Sequence, residues 1–262
     1  MDDKLYTMGG NMVRLGITIL LLVGSCCFAD SPPQDSGEAN PPDRCVLLQT
    51  YNEGAGAKDW SRWENTNTLN GNVVWVRSSG VIGGSYHFDG SGDWIQIPDN
   101  DHLEIAYGDF SSSAWALSSG LAINSGFVCK YNYVGGKNYG YENRSYTAPN
   151  NMNILIGDSG GSLANAAGTK TIGDSVWHHV AWVLNRATTN LSLYIDGALD
   201  ASLSASNLNG DDLSTTYPVL VGRRCLAYDG QYWTGNIDEV MLFRRALTLP
   251  EIKELYQKGR SG

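Results

Sequence analysis

Along residues 45–262 the apolar positions fall in short runs, with Gly, Asn, Asp or Pro between most of them. Residues 94–97 (Trp-Ile-Gln-Ile) alternate strictly and are stopped by Pro98, as a strand with one buried face would be. Residues 109–117 alternate Phe110, Ser112 and Ala114 against Ser111, Ser113 and Trp115, which predicts a half-buried strand. Further strands are predicted at 46–51, 73–76, 84–88, 127–131, 153–156, 177–184, 191–195, 217–221 and 236–243. Asp196-Gly197 closes the run at 191–195 as a hairpin turn, because both positions tolerate the left-handed backbone a tight turn needs. One helix is predicted near the C-terminus. Thr248 and Glu251 have capping-box spacing, Pro250 is tolerated in the first turn, Ile252, Leu255 and Tyr256 form an apolar stripe, and Gly259 ends it.

Composition agrees with many short strands. Charged residues are 17% of the chain, while Gly (31), Tyr (14) and Trp (8) are abundant. The formal net charge of −9, with no cationic run longer than Arg223-Arg224 or Arg244-Arg245, argues against nucleic acid as a partner. At the N-terminus, Lys4 and Arg14 precede the apolar run 15–23, which is too short to span a bilayer and suits an export signal. Cys27 and Ala29 supply small residues ahead of a cleavage point after Ala29. The domains expected are therefore a signal peptide at 1–29, a Pro/Ser-rich linker at 30–44 and one β-domain at 45–262. The alternative is a lipid anchor at Cys26, since VGSC is an imperfect lipobox. Export permits a disulfide among Cys45, Cys129 and Cys225, but three cysteines allow three pairings and always leave one over. Asn143 and Asn190 open N-glycosylation sequons, which matter only in a eukaryotic host.

Six blocks then occur in a characteristic order: YNEGAG (51–56), FDGSGDWI (88–95), DFSSSAW (109–115), WHHVA (177–181), LYIDG (193–197) and GNIDEV (235–240), before the terminal helix. Together they resemble the laminin G-like, concanavalin A-type domains, and the closing third is similar to the pentraxins. The resemblance implies an all-β fold, a two-sheet antiparallel jelly-roll sandwich with one short C-terminal helix. It also implies a Gly-Tyr-rich strand around 138–141. A pentraxin-type double-calcium site would need carboxylates where this chain has Arg223-Arg224-Cys225-Leu226, and cations there would repel the ion.

Structural calcium has two candidate sets. Asp89 and Asp93, with Ser91, offer alternating oxygens in DGSGD; Glu53 and Asp59 of the first long loop could meet Asp238-Glu239, an early-to-late link that the resemblance supports. A glycosidase dyad is not supported, because Asp238 and Glu239 are adjacent on a strand and Glu104 and Glu142 are isolated. His178 and His179 face opposite ways on their strand and read as core or edge histidines with backbone partners.

The strongest lead is aromatic. Lys130, Tyr131, Asn138, Tyr139 and Tyr141 lie in one segment, and Arg223, Tyr228, Asp229 and Trp233 in another. Sugars stack on aromatic rings while amides and carboxylates take their hydroxyls. By analogy with pentraxins the two segments would lie side by side at one edge, which would also pair Cys129 with Cys225. The expected function is an exported, non-catalytic module that recognises a glycan or an extracellular protein. The alternatives are a structural or adhesive envelope protein and a glycan-active enzyme of the same fold.

Overall fold

The computed structural model describes residues 44–260, apart from 53, 55, 147–149, 228 and 229. The predicted signal peptide and all but the last residue of the predicted linker lie outside the described residues. Fifteen strands are present among them. They are β1 (Cys45–Gln49), β2 (Thr68–Asn70), β3 (Val74–Val76), β4 (Ser85–Asp89), β5 (Trp94–Ile97), β6 (Phe110–Leu117), β7 (Gly126–Val134) and β8 (Lys137–Ser145). There follow β9 (Asn151–Gly157), β10 (Leu163–Thr171), β11 (Trp177–Asn185), β12 (Asn190–Ile195), β13 (Ala198–Ser204), β14 (Val219–Val221) and β15 (Thr234–Phe243). Helix α1 spans Leu249–Gly259.

All the pairings are antiparallel and form two sheets. The first runs β13-β12-β11-β6-β15-β4-β3, with β1 also paired to β15; the second runs β10-β9-β8-β7-β14-β5-β2. The jelly-roll expectation holds. Inward-facing Phe88, Ile95, Phe110, Tyr141, Ile154, Trp182 and Val221 interlock between the sheets as the main core. The turn at Asp196-Gly197 is as expected, with φ of 53° and 72°.

The helix forms as its capping signals predict. The Thr248 backbone N–H donates to the Glu251 carboxylate at 2.8 Å, and Ile252 is fully buried. The helix changes the fate of β6, which was expected to have one wet face. Both faces are buried, because the segment 245–259 covers the outer one: Ser111 Oγ donates to the Arg245 carbonyl, Leu247 N–H donates to Ser111 Oγ, and Trp115 stacks on Tyr256. Gly259 makes this fit possible, since a Cβ there would stand 2.3 Å from the Trp115 ring.

Candidate functional site

The two aromatic segments do lie together, but mostly as packing. Lys130 is fully buried, pairs with Asp99 at 2.5 Å and Glu104 at 2.8 Å, and donates to the Thr215 carbonyl at 2.8 Å and to the Tyr217 carbonyl. It is an internal clamp rather than a ligand contact. Glu104 lies in that clamp. Burial pushes its carboxyl up to about 7, against the pull of Lys130. Tyr131 is buried and donates to Asn138 Oδ1 at 2.6 Å; Tyr141 is inside the core against Phe110 and Trp182. Trp233 is fully buried and packs on Phe127, so its ring is closed to any ligand. Tyr139 is half-buried at the surface, and Tyr228 and Asp229 lie outside the described residues.

Beneath the junction, Glu142 holds Arg144 and Arg224 and is itself buried, which raises its carboxyl above the usual range despite both guanidinium groups. This buried ion cluster gives Glu142, isolated along the sequence from any other carboxylate, two cationic partners. Cys129 and Cys225 share one small cluster with Tyr131 and Leu155. The expected disulfide between them is not formed: the Cys129 thiol donates to the Asn143 carbonyl at 3.1 Å.

What stays accessible at this edge is a different pair of aromatics. The alternation of β5 sends Ile95 and Ile97 into the core and leaves Trp94 and Gln96 half-buried on the outer face. Register places Asn70 beside Trp94 and Thr68 beside Gln96. From the other side, a bridge between Arg223 and Tyr232 brings the Tyr232 ring to 6.2 Å from Trp94, tilted by 31°. The Arg223 guanidinium lies 4.5 Å from the Trp94 ring centre and 5.2 Å from that of Tyr232. Its donors reach the Cys225 carbonyl at 3.0 Å and the Leu226 carbonyl at 3.3 Å, which fixes the group in place. A cation held over two rings stiffens both, so the platform is organised before any ligand arrives. Of the predicted ligand residues, Arg223 belongs to this platform. Trp94 was missed, although its outward position is legible in the same Trp-Ile-Gln-Ile alternation that predicted the strand.

Among the described residues the calcium candidates form no cluster of three or more possible ligands. Asp59 is buried and accepts from the N–H groups of Leu48, Ser61 and Asn65, from Ser61 Oγ and from the Asn65 amide. Asp93 accepts from Asn72 N–H at 2.6 Å and Asp89 N–H at 3.1 Å. Asp238 accepts from the amides of Val81, Ile82 and Glu239, and burial pushes it up to about 7. Of the four, Asp89 is exposed, with one bond from Ser91 N–H. One exposed carboxylate is far short of the six to eight oxygens calcium takes, so these four residues do not fit the ion as a set. Glu53 lies outside the described residues. Glu239 sits at a bulge of β15 with φ of 50°, which breaks the strict alternation expected of the Asp238-Glu239 pair.

The two histidines have side-chain partners where backbone ones were expected. His178 bridges Asp196 at 2.8 Å and Asp174 at 3.1 Å, and its pKa is raised chiefly by the bond to Asp196. His179 is buried against Ser113 Oγ at 2.8 Å, and burial lowers it to about 4.

Among solved structures, the binding domain of Paraclostridial Mosquitocidal Protein 1 matches at 18% identity with a TM-score of 0.66, over 82% of this chain and 52% of that one. The binding domain of Botulinum Neurotoxin DC in complex with SialylT matches at 15% identity and 0.66, over 83% and 52%. The same toxin domain in complex with rat synaptotagmin II matches at 17% identity and 0.64, over 83% and 52%. At these identities the likeness is one of fold, and the chain spans about half the length of those binding domains. No curated protein matches the chain in sequence. No helix among the described residues is long and apolar enough to cross a membrane. The model of the family described as the concanavalin A-like lectin/glucanases superfamily matches residues 89–253, more than half of the chain, and the chain belongs to that superfamily.

Proposed function

We propose that this protein is an exported, non-catalytic recognition module that binds carbohydrate at the Trp94–Tyr232 platform. The observation that carries the reading is the pair of half-buried rings held by Arg223 and bordered by Gln96, Thr68 and Asn70. A pyranose presents an apolar face to such rings, and neighbouring amides and hydroxyls take its hydroxyl groups. The N-terminal signal pattern supports export. Solved relatives in fold that are binding domains, one with SialylT and one with synaptotagmin II, support recognition over catalysis. The buried carboxylates support it too, since Glu142 is tied to two arginines and Asp238 to three amides. The reading needs no calcium at Asp59, Asp89, Asp93 or Asp238.

A glycan array probed with the wild-type protein and with Trp94→Ala and Tyr232→Ala tests this. The expected result is a defined set of bound glycans, lost in both variants while the melting temperature stays near wild type. Wild-type signal retained by both variants would remove the platform from the account. An array without signal, together with saturable binding to an extracellular protein, would favour the adhesive alternative.

A further inference from the structure

The buried clamp at Lys130 gathers more oxygen than an ammonium can use. Its Nζ touches Asp99 Oδ1 at 2.5 Å, Glu104 Oε1 at 2.8 Å, the Thr215 carbonyl at 2.8 Å and the Tyr217 carbonyl. An ammonium has three protons to share among these acceptors, so one contact has no proton to itself. The fold enforces the crowding from three directions. Lys130 lies in the middle of β7, Asp99 follows the end of β5, and Glu104 closes the short helical turn Asp101–Leu103. Glu104 Oε2 accepts from the Thr215 N–H at 2.8 Å, which leaves Oε1 for the amine. In the sheet β14 runs between β5 and β7, so the clamp links two strands that are not neighbours.

The surroundings favour neutral partners over ions. The Lys130 side chain is fully buried and Glu104 nearly so, while the Asp99 side chain keeps 36% of its surface exposed. Tyr141, opposite Lys130 on β8, packs on Phe110 and Trp182 and closes the inner side. Where water is excluded an ion pair loses much of its advantage, and the amine and the free acid gain. Burial raises Glu104 to about 7, against the pull of Lys130, and a hydrogen bond with Asp99 also raises it. A carboxyl that gains and loses its proton near neutrality, in contact with both an amine and a second carboxyl, is placed to carry protons between them.

We propose that Lys130 and Asp99 condense to an isopeptide bond, with Glu104 as the proton carrier. Glu104 takes one proton from the ammonium and passes it to the Asp99 carboxylate. The freed amine attacks the Asp99 carboxyl carbon, so an N–C bond forms and one C–O bond breaks. Glu104 moves a second Lys130 proton to the departing oxygen, which leaves as water on the exposed side of Asp99. An ammonium and a carboxylate thus become an amide and one water, and Glu104 ends as it began. The step consumes no oxidant or reductant, and the enforced contact supplies the encounter that two separate reactants would lack. The product staples β5 to β7 across β14, within the sheet that carries Trp94.

The test is peptide mapping by mass spectrometry of the full chain, purified folded, then denatured with its thiols reduced and digested. The expected product joins the peptide of Asp99 to that of Lys130 and is lighter than their sum by one water. Asp99→Ala and Glu104→Gln should lack it. Asp99 is the exposed member, so Asp99→Ala keeps the fold, and a melt of each variant shows that the bond is scored on folded protein. Separate, unjoined peptides from the folded wild type overturn the proposal, whatever the variants do. A joined product that survives Asp99→Ala overturns it too, as does a water loss confined to the Asp99 peptide, which is ring closure on its own backbone. A bond that forms undiminished in Glu104→Gln overturns the role given to Glu104.

Discussion

On the outside of the first sheet, Ser111, Ser113 and Trp115 are sealed beneath helix α1 and the segment leading into it. On the outside of the second, Trp94 and Gln96 stay half-buried beside Arg223 and Tyr232. Both strands alternate, and both put a tryptophan on the outward face. The difference comes from what arrives later in the chain. Ile252 and Tyr256 bring a helix to β6, whereas Arg223 and Tyr232 bring a cation and a second ring to β5. An alternating strand therefore says which residues share a face, and only the covering element decides whether that face becomes core or binding surface.

The largest expected effect lies with the tryptophan that turned inward. Trp233→Ala should lower stability by about 3–5 kcal/mol, because a fully buried indole against Phe127 leaves a cavity. Chemical denaturation measures this, and a loss under 1 kcal/mol would contradict the core assignment. Gly259→Ala should lower stability by about 1–3 kcal/mol by forcing a methyl into Trp115 and lifting α1 from β6. An unchanged melting temperature would show that the helix seals the first sheet more loosely than described.

A pH series sharpens the comparison further. The Asp238 carboxyl sits at about 7 in the folded state, above its ordinary 3.8, so the folded protein binds that proton more tightly than the unfolded chain. Its contribution is full below about pH 4 and is lost as the pH rises through 7. Stability should therefore fall between about pH 4 and pH 7 more steeply in the wild type than in Asp238→Asn, and level off above that; identical slopes would refute the raised value. A smaller effect is expected from Thr248→Ala, about 1 kcal/mol, from loss of the helix cap. Denaturation curves superimposable on the wild type would show that packing alone sets the helix start.

Much of the fold was legible in the primary structure, because β5, the Asp196-Gly197 turn and the Thr248–Glu251 cap each depend on neighbours in sequence. β10 and β13 were not. β10 faces the core with only Ala164 and Ala166, and β13 is an edge strand with little burial, so neither shows strong apolar alternation. The site was harder to read for a related reason. Lys130 looks like a surface cation until Asp99, Glu104, Thr215 and Tyr217 are brought around it from distant positions. Trp94 opens β5, whose alternation marks it as outward, whereas Trp233 stands just ahead of β15 and nothing local marks its ring as buried.

That separation is also the most direct test of the account. Affinity for the best glycan on the array and melting temperature should be measured on the same samples of wild type and Trp94→Ala. The account predicts that Trp94→Ala binds at least tenfold more weakly and melts close to the wild type. Full affinity in that variant, or a large drop in its melting temperature, would contradict the claim that Trp94 is a binding surface held on the outside of the sandwich.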